Sequence, residues 1–166
     1  MSSLAENMDA LRHNFLLRGF FQSRGFFDLG QLTPAEYRSG ALADAGWSPV
    51  RIWLEADRLF EAQSAAEDPT LSEDGRRRLD SAMAPYLDRM PASVLMVEGF
   101  TPSGTRDVQY VISRARAAAV RAYLVDRFHL QPRSTGAIPL GGESPGAPVK
   151  GGWDGIALAV YMKTRG

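Results

Sequence analysis

The sequence predicts an α/β domain, an α+β sandwich with a mixed β-α-β-α-β-β sheet and helices packed on one face, preceded by an N-terminal helical segment. Three observations predict it. Val50, Ile52 and Leu54 alternate with Arg51 and Trp53, and Ile156, Leu158 and Val160 recur at every second position, which is the period of a strand. Ala92–Gly99 is nearly continuously apolar, as expected of a strand covered on both faces. Between the strands lie helical stretches, and strand-helix-strand repeats favour right-handed crossovers with at least one parallel pair.

In chain order, residues 4–18 predict an amphipathic helix. Leu4, Met8, Leu11 and Phe15 fall on one face. It either packs on the domain or a partner helix, or lies on a membrane surface, although its polar face is not enriched in Lys or Arg. Arg18-Gly19-Phe20-Phe21 is echoed by Arg24-Gly25-Phe26-Phe27. Five of the eight phenylalanines (Phe15, Phe20, Phe21, Phe26 and Phe27) crowd this stretch, so they are expected to fold back on the domain or meet another chain. Thr33 as cap, Pro34 at the first helical position and Glu36 as the reciprocal acid predict a short second helix. Gly40 and Gly46 interrupt the pattern. The boundary is placed there, dividing a helical, Phe-rich segment (1–46) from the α/β domain (47–166).

Within that domain a first strand spans residues 48–54. Thr70-Leu71-Ser72-Glu73 is expected to be a capping box opening a helix, with Leu79, Met83, Leu87 and Met90 inward. Pro85 should kink or weaken its last turn. After the Ala92–Gly99 strand and the turn Thr101-Pro102-Ser103-Gly104, an alanine-rich helix is expected over about 106–128. Val108, Ile112, Ala115, Ala119, Ala122 and Tyr123 can face the sheet. A strand over 133–140, a Gly/Pro-rich loop over 141–152 and a final strand from Ile156 towards Lys163 complete the order. The last two strands are expected to add an antiparallel pair. Glu98, inside an apolar strand, is either a buried acid or one that lies at an edge or pairs with an arginine.

Composition narrows the function. The 166 residues are 45% hydrophobic and 23% charged, as in soluble globular domains. Nineteen basic residues balance nineteen acidic ones, which disfavours a nucleic-acid partner. There is no cysteine, and His13 and His129 lie far apart, so no metal site or disulfide is expected. No uncharged apolar run is long enough to form a transmembrane segment. Glu6, Asp9 and Arg12 make the first residues unlike a secretory signal peptide. An envelope protein of this sequence would therefore be a piece of a longer chain or lack its export signal. No P-loop, nucleophile elbow or Cys–His pair is present, so neither a cofactor nor enzymatic activity is expected.

Val97-Glu98-Gly99-Phe100-Thr101, followed by Ser113-Arg114-Ala115-Arg116-Ala117, Val120, Tyr123 and Leu124, resembles the OmpA-like peptidoglycan-binding domains of the bacterial envelope. Their pattern is V-x-G-H-T-D and then S-x-x-R-A-x-x-V-x-x-Y-L. Gly142-Glu143-Ser144-Pro145 resembles the family's G-E-x-x-P loop, and the likeness spans about residues 48–163. The resemblance implies a diaminopimelate clamp for the peptidoglycan stem peptide. In such a clamp an Asp takes the ammonium and an Arg the carboxylate by charge-assisted hydrogen bonds. Here the Arg position is Arg116. The Asp position is Pro102, the His position is Phe100, and the family's N-R-R stretch has no equivalent around Trp153-Asp154-Gly155. Thr101, Ser103, Asp107 and Ser113 are the other candidate ligand-binding residues. Asp107 equally suits the helix dipole, and Ser113 its own helix backbone.

Residues 11–26, from Leu11-Arg12-His13-Asn14-Phe15-Leu16-Leu17-Arg18-Gly19-Phe20-Phe21 to Arg24-Gly25-Phe26, are similar to the tail of MCE (MlaD-like) lipid-transport proteins. Together the two resemblances imply a periplasmic or outer-membrane-linked module with envelope protein partners. It either anchors or scaffolds an assembly with weak or lost peptidoglycan binding, or acts as an accessory subunit through its Phe-rich segment.

Overall fold

The computed structural model describes residues 28–164. The amphipathic helix, the five clustered phenylalanines and the MCE-like stretch lie outside the described residues. Four strands, β1 (Trp47–Glu55), β2 (Val94–Phe100), β3 (Thr135–Pro139) and β4 (Gly155–Lys163), form one mixed sheet. The spatial order is β1-β4-β2-β3. Strand β4 runs antiparallel to both neighbours, with Val50 opposite Val160 and Phe100 opposite Gly155. Strands β2 and β3 are parallel, with Val97 opposite Ala137. The helices are α1 (Pro34–Arg38), α2 (Ala41–Asp44), α3 (Ala56–Leu59), α4 (Glu73–Met83) and α5 (Arg106–Phe128).

Alternation divides the sheet residues between two apolar layers. Leu95, Val97, Ile156, Leu158 and Val160 face α4 and α5, meeting Leu79, Met83, Ala117, Val120 and Leu124. Val94, Met96, Phe100, Ala157, Ala159 and Ile138 face the other way, onto Leu29, Leu32, Tyr37 and Leu42. The two long helices share one face, as expected, while the short segment 29–45 covers much of the other. That second cover explains why every residue of β2 is buried.

Several local expectations hold. Thr33, Pro34 and Glu36 form the capping box of α1, and Pro85 stands where α4 gives way to a 3₁₀ stretch over Ala84–Ala92. Others need correction. Ser72, not Thr70, caps α4, accepting from Gly75 N at 2.9 Å. Strand β3 pairs with β2 and not with β4, because the loop after Pro139 carries the chain over to the far side of β2. The buried stripe of α5 is Ser113, Ala117, Val120 and Leu124, while Val108 and Ala122 are exposed.

Close approach sets the phase of α5. A β-carbon on Gly99 would stand 1.9 Å from the Ser113 carbonyl oxygen and 3.2 Å from the Ala117 methyl. Only a residue without a side chain lets the helix backbone lie this near the strand. Small residues at 113 and 117 therefore face the sheet, and the larger Ile112 and Tyr123 turn aside.

Glu98 proves to be both buried and paired. It is 1% exposed and sits beneath the second layer. Arg51 reaches it across the small side chains of β4, donating from Nε at 2.9 Å and from Nη2 at 3.0 Å. The Tyr37 hydroxyl also donates to it, and Tyr161 donates to the Tyr37 oxygen at 2.8 Å. A buried carboxylate is tolerated only with such partners. Burial, and then the Glu98 charge, push the Tyr37 hydroxyl far above the usual tyrosine range. Burial likewise raises Tyr161. For Arg51, burial opposes the charge, but the Glu98 bonds outweigh it and raise its pKa.

Two outcomes follow. Gly99→Ala should lower unfolding free energy by about 3 kcal/mol through overpacking, read by urea denaturation; a loss below about 1 kcal/mol would contradict the backbone contact. A tyrosine held neutral in the folded state stabilises the protein below about pH 10, and this is lost at higher pH as the unfolded chain ionises. The urea midpoint should fall between pH 9 and 11, and fall less in Tyr37→Phe. Equal losses in the two proteins would refute the assignment.

Candidate functional site

Arg116 from α5, the end of β2 and the residue before β4 meet at one place. Thr105 caps the helix, accepting from Val108 N at 3.3 Å. Arg116 lies about one turn beyond Ser113, so seating Ser113 over Gly99 carries the guanidinium to the end of β2. There Arg116 Nη1 donates to the Phe100 carbonyl at 2.7 Å and to Asp154 Oδ1 at 2.6 Å. The Arg116 side chain is 16% exposed and that of Asp154 62%.

Asp154 is the partner of Arg116 that sequence reasoning missed. Its position follows from register, since Phe100 lies opposite Gly155 and the preceding residue falls beside the Phe100 carbonyl. The backbone there is pinned. Trp153 N donates to Ser144 Oγ at 2.8 Å, and its indole donates to Leu54 O at 3.2 Å and Ile156 O at 3.1 Å. Asp154 O accepts from Ala56 N at 2.9 Å. The signal lay in the OmpA-like resemblance, in whose pattern an N-R-R stretch stands around residues 153–155.

The other candidates stand apart from Arg116. Thr101 is buried, its N–H bonded to Gly141 O at 2.9 Å. Ser113 is buried too, donating to Tyr110 O at 3.2 Å and accepting from Gly141 N at 3.4 Å. Pro102 and Ser103 are exposed at the turn, and Asp107 is exposed in the first turn of α5. No hydrogen bond or ion pair joins Arg116 to any of these, so the structure gathers Arg116 with Phe100 and Asp154 only. A cleft of about 370 Å³ opens beside the helix start, lined by Arg38, Arg106, Gln109, Tyr110, Gly142 and Glu143 among others, and Arg116 is not in its walls. Among the described residues, no cluster of His, Cys, Asp or Glu could hold a metal.

No known family model matches the chain, and no curated protein matches it. Solved structures do. The periplasmic domain of Helicobacter pylori MotB (residues 78–256) aligns with a TM-score of 0.54 at 16% identity, covering 70% of this chain and 78% of that one. A shorter form of that domain (residues 97–256) aligns at 0.53 and 17% identity, covering 70% and 84%. A MotB-like protein from Desulfovibrio vulgaris aligns at 0.52 and 16% identity, covering 96% and 98%. The chain shares the fold of these domains. Among the described residues no helix is long and apolar enough to cross a membrane.

Proposed function

We propose that this chain is a non-catalytic module of the bacterial cell envelope, one that anchors or scaffolds an assembly and whose peptidoglycan clamp is weak or lost. The fold it shares with periplasmic domains and the OmpA-like residue pattern support the compartment. One observation carries the loss of the clamp. The guanidinium that would take a ligand carboxylate is bonded to the chain's own Asp154 and Phe100 carbonyl. A tethered carboxylate competes at an effective concentration of about millimolar or more, so a free ligand must displace it. Even then the ligand's ammonium would meet Pro102, which has neither charge nor backbone donor.

The finer reading, that the assembly transports lipid, rests on the sequence of residues 11–26 alone. In that reading the α/β domain holds the partner and the Phe-rich segment makes the second contact.

Co-sedimentation with purified peptidoglycan sacculi tests the proposal. Wild type should pellet little above an unrelated control protein, and Arg116→Ala should not change the amount. Strong retention that Arg116→Ala abolishes would establish a working clamp and sink the reading.

A further inference from the structure

Strand β1 ends the sheet, and its outer edge presents backbone that no other element pairs among the described residues. Gly46 O accepts from Thr164 N at 2.8 Å, and Ala56 N donates to Asp154 O at 2.9 Å. With Val50, Ile52 and Leu54 opposite Val160, Leu158 and Ile156, the even-numbered residues of β1 bond to β4. The odd-numbered ones therefore turn N–H and C=O outward. Pro49 falls on that outward side, where a missing donor is tolerated. It blunts the first half of the edge, and α3 ends the strand at Glu55. What stays open is Arg51–Glu55. Apolar surface remains on the strand, with Val50 38% exposed and Ile52 and Leu54 half-buried. An open edge of this kind is a template for another strand.

We propose that two copies of this chain pair antiparallel through Arg51–Glu55, with Trp53 opposite Trp53 of the second copy. Charge selects that register. It sets Arg51 against Glu55 of the second copy and Glu55 against its Arg51, two favourable cross-strand pairs. Centring instead on Arg51 would oppose two guanidiniums and place donorless Pro49 against Trp53. Centring on Glu55 would oppose two carboxylates and run the strand into α3. The side chains are available. Arg51 uses Nε and Nη2 on Glu98 and has no hydrogen bond at Nη1, and Glu55 is exposed with no ion pair among the described residues. On the other face Ile52 would cover Leu54 of the second copy. The contact is isologous, so it closes as a dimer and joins the two sheets into one.

Sedimentation equilibrium of the full chain tests this, with circular dichroism as the folding control. The mass should approach twice 18.2 kDa as concentration rises. Glu55→Lys, which places a lysine against Arg51 of the second copy, should raise the dissociation constant at least about tenfold at unchanged fold. The chain has no cysteine, so single substitutions report proximity directly. Trp53→Cys should give a disulfide-linked dimer, because directly opposed Cα atoms about 5.5 Å apart are within bridging range. Val50→Cys, several residues from its own counterpart, should not. A monomer at every concentration, a dimer indifferent to Glu55→Lys, or linkage through Val50→Cys instead of Trp53→Cys would overturn the proposal.

Discussion

The seating of α5 on β2 at Gly99 is the contact on which the rest of the arrangement depends. The helix backbone at Ser113 lies against the strand where no side chain intervenes. That contact fixes the rotation of α5, and with it which residues are buried: Ser113, Ala117, Val120 and Leu124. Arg116 then has one direction in which to point, towards the carbonyl at the end of β2. Because β4 is registered with Gly155 opposite Phe100, Asp154 arrives at the same place from the other side. The ion pair is a consequence of helix phase, of strand register and of the pinned backbone just before β4.

The opposite face of the sheet uses a different kind of fastening. Most of the segment 29–45 is held by apolar burial, with Leu29, Leu32, Tyr37 and Leu42 on the sheet. Tyr37 adds a polar bond to Glu98, which Arg51 already holds from β1. Three distant stretches of chain thus converge on one buried carboxylate. Breaking such a cluster by removing one partner is costly, because the remaining groups stay buried without their bonds. The cluster therefore favours this one placement of α1 over others that apolar contact alone would permit, and it leaves Trp53 packed against Phe100 and Trp153 at centroid distances of 5.5 and 5.6 Å.

Much of this was legible in the residues. Alternation found β1 and β4, the apolar run found β2, and the Thr33-Pro34-Glu36 signature found α1 with its capping box intact. What escaped has physical causes. Thr70 and Ser72 are both good caps, and only tertiary packing, with Ser72 N donating to Leu59 O at 2.8 Å, selects between them. The face of α5 was misjudged because alanines occur all around the helix, so apolar periodicity is weak, and the deciding feature is a glycine on another element. Strand order is non-local, so it could not be read from local signals. At the site, Arg116 was found from the family pattern, while Asp154 needed the β2–β4 register. Thr101 and Ser113 match the pattern as well, yet both are buried in backbone bonding around Gly141.

These features describe a fold in which Arg116, the cation of the proposed clamp, is satisfied from within. Calorimetric titration with a diaminopimelate-containing stem peptide tests that claim most directly. Wild type should give no binding heat at millimolar peptide. Asp154→Asn, which removes the competing charge, should give measurable heat that a further Arg116→Ala removes. Saturable binding by wild type that depends on Arg116 would show that Asp154 does not close the site.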